Sequence, residues 1–328
     1  MSPSSAVYTT IHTLEFTGPV MNSACPWASN LEDLTALYNS PYTGGVTTRT
    51  ATAEGFKEDP AIHQHAFTAI ASLNCYGYSP FPLPDYLGWV HTLLEHASSR
   101  KPIIISITSD LPSEIEGMIM AIQYVRRELG DTSGITSRIG IELNTSCPNI
   151  ASKPPPSYDP QALLPLLQVL AKAVYKDPTL TLGIKLPPYV IPSQFTGVLD
   201  AIASLQRPED ARNPISFLTC TNTLGGCIFG SDEAGKEGVQ GEGWALPGGY
   251  GGMAGSALHA VSLGNVHRFA TLLANHPSDA MRKISIIGVG GVEDAAGVKR
   301  MHKAGATMVE CATALGRHGV DVFEKMQT

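Results

Sequence analysis

The chain has 328 residues, of which 43% are hydrophobic and 16% are charged, and its formal net charge is −7 at pH 7. This composition predicts a globular protein with a large core, and the mildly acidic balance argues against a general nucleic-acid binder. No apolar run reaches the ~18 residues that a membrane-spanning helix needs, so we expect no membrane partner.

The six cysteines are widely scattered and form no CxxC pair, which argues against a zinc knuckle and a small disulfide framework. We interpret them as reduced thiols and expect no metal site. The first residues, MSPSSAVYTTIH, contain neither a basic segment nor a long apolar run, so they do not resemble a secretory signal. They also lack arginine, which disfavours a mitochondrial signal. Together these features predict a cytoplasmic protein.

Eight short apolar or β-branched runs are typical of buried strands. In chain order they are GGVTT (44–48), FTAIAS (67–72), PIIISIT (102–108), RIGIELN (138–144), LTLGIKL (180–186), ISFLTCTN (215–222), KISIIGVGG (283–291) and ATMVECATA (306–314). Segments with helical spacing of apolar residues separate most of these runs, as at 113–129 and 159–175. Strands that alternate with helices pair in parallel through crossover connections. The pattern predicts an α/β fold, a closed (β/α)₈ TIM barrel, with an open doubly wound sheet as the alternative.

We expect one domain over residues 1–328, with an N-terminal extension over 1–43 and long loops after the strands. The longest such loop is the Gly-rich segment 230–256. Loops of this length inside a compact domain are usually functional or mobile.

Polar or small residues end several of the predicted strands, where the chemistry of a barrel lies. The fourth strand runs into Asn144, Cys147 and Asn149, and the fifth ends near Lys185. The sixth strand ends in Asn222-Thr223. The seventh and eighth end in small residues, Gly290-Gly291 and Ala312-Thr313, which suit a phosphate group held by backbone N–H groups. These ends predict a polar ligand site on one rim.

Each of these residues has a structural interpretation beside the functional one. A lysine that ends an apolar strand either extends to solvent or holds an anionic ligand, and Lys185 fits the second role better. A single Asn after a strand is usually a turn residue, but Asn74, Asn144, Asn149 and Asn222 together suit a planar ligand rich in N–H and C=O groups. Cys147 is either a buried structural thiol or, in its polar loop, a base or nucleophile.

The motifs that carry these residues resemble the dihydroorotate dehydrogenase family, and most closely its soluble, fumarate-linked class 1A of FMN-containing homodimers. ELNTSCPN (142–149), followed by Lys153-Pro154, is similar to the family's ELNLSCPN…KP, and GIKLPPY (183–189) is similar to VKLPPY. GGYGGMAGSALHAVSLGNV (248–266) and IIGVGGVEDAAGVKRMHKAGATMVECATAL (286–315) resemble GGxGGxxxxxTALANV and IIGxGG…GATMVQxGTAL. MNSA (21–24) and SPYTGGVTTRTAT (40–52) extend the resemblance to nearly the whole chain.

The resemblance implies a reaction. Cys147 would remove the C5 proton of (S)-dihydroorotate while C6 passes hydride to N5 of FMN, and fumarate would then reoxidise the flavin. It also implies a substrate site formed by Arg49, Asn74, Tyr76, Gly77, Tyr78, Asn144, Asn149, Asn222 and Thr223. The implied cofactor site comprises Ser23, Ala24, Arg49, Thr50, Asn74, Asn144, Lys185, Gly252, Gly290, Gly291, Ala312 and Thr313.

The sequence departs from the family pattern beside the expected substrate. Arg49 stands where the family usually has Lys, and Asn74-Cys75-Tyr76-Gly77-Tyr78 replaces Asn-Ser-Met-Gly-Leu. Arg is longer and forked, so the exchange is not conservative at a tight site. A paralogous FMN oxidoreductase or ene-reductase with a different small substrate is therefore the alternative function. A flavin-free phosphate-binding barrel and a barrel retained only for binding are two further alternatives.

Overall fold

The computed structural model describes residues 7–95, 97, 99–150, 154–234 and 243–327. Lys153 of the motif quoted above and residues 235–242 of the Gly-rich loop lie outside the described residues. The strands in chain order are β1 (Thr9–Ile11), β2 (Leu14–Phe16), β3 (Val20–Asn22), β4 (Val46–Thr47), β5 (His65–Phe67), β6 (Ser72–Asn74), β7 (Ile103–Ile107), β8 (Ile139–Asn144), β9 (Thr181–Leu186), β10 (Phe217–Cys220), β11 (Leu224–Ile228), β12 (Tyr250–Ala254), β13 (Ser285–Val289) and β14 (Met308–Cys311).

The helices surround the strands that form the central sheet. They are α1 (Leu31–Asn39), α2 (Leu83–Glu95), α3 (Pro112–Glu128), α4 (Pro160–Lys176), α5 (Pro192–Ala203), α6 (His259–Ala274), α7 (Asp279–Arg282), α8 (Ala295–Ala304), α9 (Thr313–His318) and α10 (Val322–Lys325). Within the described ranges, no helix combines the length and apolar character needed to cross a bilayer.

The central sheet has eight parallel strands in the order β3-β14-β13-β10-β9-β8-β7-β4. Its two edge strands, β3 and β4, lie against each other. The buried side chain of Asn22 closes this seam, because its Nδ2 donates to Thr47 O at 2.5 Å and its Oδ1 accepts from Thr47 N at 3.1 Å. The (β/α)₈ prediction is confirmed, and the alternative of an open doubly wound sheet is wrong.

One predicted strand was assigned wrongly. Segment 67–72 is not in the barrel: Phe67 ends β5, Ser72 begins β6, and the exposed Ile70 lies in the turn between them. These two strands belong to a separate antiparallel sheet, β11-β12-β6-β5. The missing barrel strand is β3, inside the expected N-terminal extension 1–43. At three residues, β3 is too short to show a periodic pattern.

The barrel interior is filled in layers, and alternate strands contribute each layer. Near the amino ends of the strands an apolar plug closes the barrel, and it contains Met21, Ile104, Phe217, Ile287 and Met308 beneath the β1–β2 hairpin. Gly183 makes room for Phe217, whose ring would lie 2.3 Å from a Cβ at that position.

Above the plug, the alternate strands β4, β8, β10 and β14 place a second set of side chains inside the barrel. We call this set the polar layer, and it consists of Thr47, Glu142, Thr219 and Glu310, all fully buried. The next layer toward the carboxyl ends contains Ser23, Ser106, Lys185 and Val289. The interior therefore changes from apolar to polar in the direction of the expected ligand site.

Candidate active site

An elongated cleft lies over the carboxyl ends of the barrel strands. It joins a pocket of about 110 Å³ near Cys147 to a pocket of about 60 Å³ near Gly290. The two pockets share Ala24, Asn222, Thr223, Ala254, Ala312 and Thr313, so they adjoin along one wall. We call the two parts the thiol end and the glycine end of the cleft.

Every site residue expected from the sequence, except Gly252, lines this cleft. The thiol end contains Ala24, Arg49, Thr50, Asn74, Tyr76, Gly77, Tyr78, Asn144, Cys147, Asn149, Asn222, Thr223, Ala312 and Thr313. The glycine end adds Ser23, Lys185, Gly290 and Gly291. Gly252 lies behind the wall, opposite Asn74 in the β6–β12 pair, and a Cβ there would lie 2.2 Å from Thr223 Oγ1.

Cys147 follows β8 and is partly exposed to the thiol end. Burial raises the pKa of its thiol, while the Asn149 N–H and the charges of Lys185 and Arg49 act to lower it. The thiol is therefore protonated at neutral pH, with cationic groups nearby that favour the thiolate. Such a group can serve as a base when a substrate proton is within reach.

Four amide side chains from three separate regions form a network around the thiol end. Asn149 Nδ2 donates to Asn74 Oδ1 at 3.0 Å and to Tyr76 O at 2.9 Å. Asn222 Nδ2 donates to Asn144 Oδ1 at 3.3 Å and to Ser146 Oγ at 3.0 Å. The parallel strands β8 and β10 and the antiparallel strand β6 therefore place amides on facing walls of one pocket.

Arg49 is buried and bound to an acidic partner. Its Nη2 lies 2.8 Å from Glu58 Oε1, its Nη1 lies 3.4 Å from Ser29 Oγ, and its guanidinium carbon lies 5.4 Å from the centre of the Tyr76 ring. The positive charge at this wall is therefore partly balanced within the protein.

Sequence reasoning missed two rings beside Arg49. His65 Nδ1 lies 2.8 Å from Tyr76 Oη, and Trp27 packs edge-on against His65 with ring centres 5.6 Å apart. Both residues line the thiol end. Trp27 could have been found from its position just after the MNSA motif, whereas His65 lies in a strand with no chemical pattern around it.

Lys185 extends from β9 to the floor of the glycine end and is only 4% exposed. Its Nζ donates to Ser23 Oγ at 2.8 Å. The side chain does not extend to solvent, so the structural interpretation offered for it above is wrong. A buried ammonium at the floor of a cleft can attract the negative charge of a ligand.

The glycine end is built from residues that bring backbone close to the cleft. Gly290 and Gly291 have φ angles of +133° and +67°, and a Cβ on Gly290 would lie 2.0 Å from Ser262 Oγ. Gly255, Ala312 and Thr313 complete the wall. Small side chains beside a buried cation provide a shape and charge suited to a phosphate-bearing ligand. No three His, Cys, Asp or Glu side chains gather closely enough to hold a metal ion in the part of the chain that the structure describes.

Comparison with known proteins agrees with this geometry. A family model described as dihydroorotate dehydrogenase matches residues 6–328. The chain belongs to the dihydroorotate dehydrogenase family. Dihydroorotate dehydrogenase A (fumarate) of Lactococcus lactis subsp. cremoris MG1363 is 30% identical over 318 residues, which cover 97% of this chain and 91% of that protein. The protein of the same name from Lactococcus lactis subsp. lactis IL1403 is also 30% identical with the same coverage.

Membership of the dihydroorotate dehydrogenase family makes the protein a flavin-dependent oxidoreductase, and oxidation of dihydroorotate is the reaction of the family. It also connects the protein to pyrimidine biosynthesis. The flavin-free barrel and the barrel retained only for binding are disfavoured as a result. Arg49, Tyr76 and Tyr78, which depart from the motifs quoted in the sequence analysis, all line the thiol end.

Proposed function

We propose that the protein uses FMN to oxidise (S)-dihydroorotate to orotate, with fumarate as the electron acceptor, in de novo pyrimidine biosynthesis. The observation that carries this proposal is the position of the Cys147 thiol, on the wall of a cleft surrounded by four amide side chains. Family membership supports the reaction, and the names of the two Lactococcus proteins support the acceptor.

In this proposal Cys147 is the base that removes the C5 proton of the substrate. FMN, when bound, supplies at its N5 the acceptor for the hydride that leaves C6. The cationic groups Lys185 and Arg49 favour the thiolate and so offset part of the effect of burial on the thiol. Proton removal by a positioned side chain typically contributes about 10²–10⁴ in rate.

The amides are assigned to the pyrimidine ring and its carboxylate. Asn74, Asn144, Asn149 and Asn222 each offer both a donor and an acceptor, as an imide edge requires. Thr223 and Arg49 are assigned to the same ligand, and Tyr76, Gly77 and Tyr78 to the wall beside it. The hydrogen bonds that the amides now make to one another are those that a planar ligand would replace.

The remaining residues of the cleft fit a flavin mononucleotide. Lys185 would lie against the ring, since its ammonium is buried at the floor of the cleft. Ser23 and Ala24 would contact the ring through backbone, and Thr50, Asn74, Asn144 and Arg49 would complete its surroundings. The phosphate is assigned to the glycine end, which is formed or backed by Gly252, Gly290, Gly291, Ala312 and Thr313.

An anaerobic visible spectrum before and after the addition of dihydroorotate tests the proposal. We expect the purified protein to show a flavin band that bleaches on addition and returns with fumarate. Acid extraction followed by chromatography against FMN and FAD standards identifies the flavin. A flavin band that dihydroorotate leaves unchanged would refute the substrate but not the cofactor.

A paralogous FMN oxidoreductase or ene-reductase with a different small substrate is the second candidate. The ion pair between Arg49 and Glu58 and the bond between Tyr76 and His65 favour it, because both change the charge and shape of the thiol end. Flavin reduced chemically and then mixed with a panel of small activated alkenes separates the candidates. Reoxidation by an alkene, without reduction by dihydroorotate, would identify the paralogue.

We further propose that the protein is a cytoplasmic homodimer, by its resemblance to the soluble class of the family. Sedimentation equilibrium of the purified protein, compared with the chain mass of 34.8 kDa, tests the oligomeric state. A mass equal to one chain across the concentration range would refute the dimer.

A further inference from the structure

Two fully buried glutamates face the interior of the barrel from opposite sides. Glu142 lies on β8 and Glu310 on β14, which are four strands apart in the eight-stranded order. TIM-barrel interiors are normally filled by branched apolar side chains, so two carboxylates in one layer are unusual. Glu310 also stands where the family motif GATMVQxGTAL has Gln, so the second acid belongs to this chain and not to the motif.

Each glutamate is only half satisfied. Glu142 Oε1 accepts from Ser106 Oγ at 3.0 Å, and Glu310 Oε1 accepts from Thr47 Oγ1 at 3.1 Å. The second oxygens, Glu142 Oε2 and Glu310 Oε2, have no hydrogen-bond donor among the described residues. Two ionised carboxylates in this position would each leave a buried, charged oxygen without a partner, and they would repel each other.

One bound proton removes both problems. A proton on either carboxyl removes the like-charge repulsion and turns one of the two unpartnered charged oxygens into a neutral hydroxyl group that can donate. Burial, and next to it the charge of Glu142, raise the pKa of Glu310 from 4.5 to about 8, against opposing effects from Lys185, Ser23 and Thr47. The single remaining negative charge balances the ammonium of Lys185.

We propose that Glu142 and Glu310 share one proton at neutral pH, which makes the polar layer a proton-binding site beneath the cleft. Its other polar members are Thr47 and Thr219. The titratable neighbours are Lys185 on β9 and the buried thiols of Cys25 and Cys311, and the charge of Glu310 acts to raise the pKa of both thiols.

A hydrogen-bond chain connects this site to the cleft. Ser106 Oγ, which donates to Glu142, lies 3.0 Å from Thr50 Oγ1. Glu310 is also subject to the charge of Lys185, whose Nζ donates to Ser23 Oγ at 2.8 Å.

The chain continues to the wall of the cleft. Thr50 Oγ1 accepts from Asn144 Nδ2 at 3.1 Å, and both residues line the thiol end. Hydroxyl groups both donate and accept, so a change in the protonation of the pair reaches the thiol end through this chain and the glycine end through the charge of Lys185. The effect on a bound flavin rests on the function proposed above, whereas the shared proton does not.

Infrared difference spectra between the wild-type apoprotein and its variants at neutral pH test the shared proton directly. We expect the carbonyl stretch of a protonated carboxylic acid, which shifts in D₂O and disappears in Glu310→Gln, because the substitution removes one carboxyl of the pair and with it the repulsion that retains the proton. Glu142→Gln gives the same test if the first variant does not fold, as judged by circular dichroism. Glu324→Gln, a matched change at an exposed position, should retain the band.

Stability against pH provides a second measurement. Because the pKa of Glu310 is raised on folding, the folded state holds one more proton than the unfolded chain between pH 4.5 and about 8. The wild type should lose stability relative to Glu310→Gln as the pH rises through this window. Absence of the infrared band in the wild type, or its persistence in both single variants, would overturn the proposal.

A third measurement concerns the flavin. In the wild-type holoenzyme the midpoint potential should show an additional inflection with pH that Glu310→Gln lacks, since a negative charge appears beneath Lys185 when the shared proton is lost. If the infrared band is present but the two potentials follow the same pH dependence, the proton site stands and its coupling to the flavin is refuted. If the protein holds no flavin, the infrared result still decides the shared proton.

Discussion

Arg49 and Glu58 form an ion pair of 2.8 Å at the edge of the thiol end, with the Arg49 side chain almost fully buried and Glu58 about one-quarter exposed. Arg49 stands where the similar family motif usually has Lys. The Arg49 guanidinium, which we expect to bind an anionic substrate, is therefore already paired. Glu58 determines how much of its positive charge is available to that substrate.

Glu58→Gln should strengthen the binding of an anionic substrate. Loss of the carboxylate releases the charge of Arg49, which at this partly exposed site is worth roughly 1 kcal/mol, or about fivefold in KM for dihydroorotate. Steady-state kinetics at low ionic strength measure the change. Glu54→Gln is the matched control, because Glu54 lies in the same loop and is exposed. A higher KM in Glu58→Gln would show that Glu58 mainly positions the Arg49 side chain, with neutralisation of its charge the smaller effect.

Cys147→Ala should leave the flavin bound and slow its reduction by dihydroorotate by about 10²–10⁴, the usual contribution of a positioned base. Stopped-flow absorbance under anaerobic conditions measures the reductive half-reaction separately from turnover. Cys227→Ala is the matched control, since Cys227 lies on β11 and does not line the cleft. Reduction at the wild-type rate in Cys147→Ala would remove the thiol from the mechanism.

The rate of flavin reduction should rise with pH. Burial raises the pKa of the Cys147 thiol, so the thiolate fraction is small at neutral pH and increases as the solution becomes alkaline. Reduction rates at saturating dihydroorotate, measured from pH 6 to 10 in steps of about one unit, give the profile. In Cys147→Ser the rise should be absent over this range, because a serine hydroxyl does not titrate there. A wild-type rate that falls with pH would contradict a thiolate base.

Lys185→Ala should weaken the retention of the flavin. The substitution removes the buried ammonium at the cleft floor and leaves Ser23 Oγ without its donor at 2.8 Å. The ratio of flavin to protein after gel filtration, followed by titration of the apoprotein with FMN, measures the loss. Lys101→Ala is a useful comparison, because Lys101 is also buried but binds backbone oxygens near α1, away from the cleft. Equal flavin content in the wild type and Lys185→Ala would refute the assignment.

Phe217→Ala should destabilise the barrel without changing the cleft. Phe217 is fully buried in the apolar plug, beside Gly183, and removal of such a ring typically costs about 3–5 kcal/mol. Urea unfolding of the apoprotein measures the loss, with Phe81→Ala, at a partly exposed ring, as the control. An unfolding free energy within about 1 kcal/mol of the wild type would show that the plug repacks.

The sequence was most informative where a long apolar strand ends in polar residues. Asn144, Cys147 and Asn149 after β8, and Asn222 and Thr223 after β10, could be assigned to one rim because parallel strands share one. The sequence does not reveal β3, since three residues carry no periodicity, and it favours a barrel strand at 67–72 because the apolar content of that segment resembles that of a buried strand.

Long-range contacts account for the rest of what the sequence did not reveal. His65 lies on β5, in the antiparallel sheet that the sequence did not predict, and there it forms a hydrogen bond with Tyr76. Glu58 lies in a loop without regular structure and forms an ion pair with Arg49. Glu310 lies within a run that is typical of an apolar strand, so its position across the barrel from Glu142 could be recognised only once the strand order was known.

The pairing of β3 with β14 has a consequence for how the protein is made. β3 pairs with β14, and Ser23 N donates to Cys311 O at 2.8 Å, so the first and last barrel strands meet. The N-terminus leaves the ribosome first, so β3 has no partner at this edge until β14 has been synthesised. Until then the edge of β13 that pairs with β14 is also open. The cleft therefore forms only after almost the whole chain has been synthesised. Cofactor loading is then a late event, and cofactor supply cannot rescue a chain that stalls before β14.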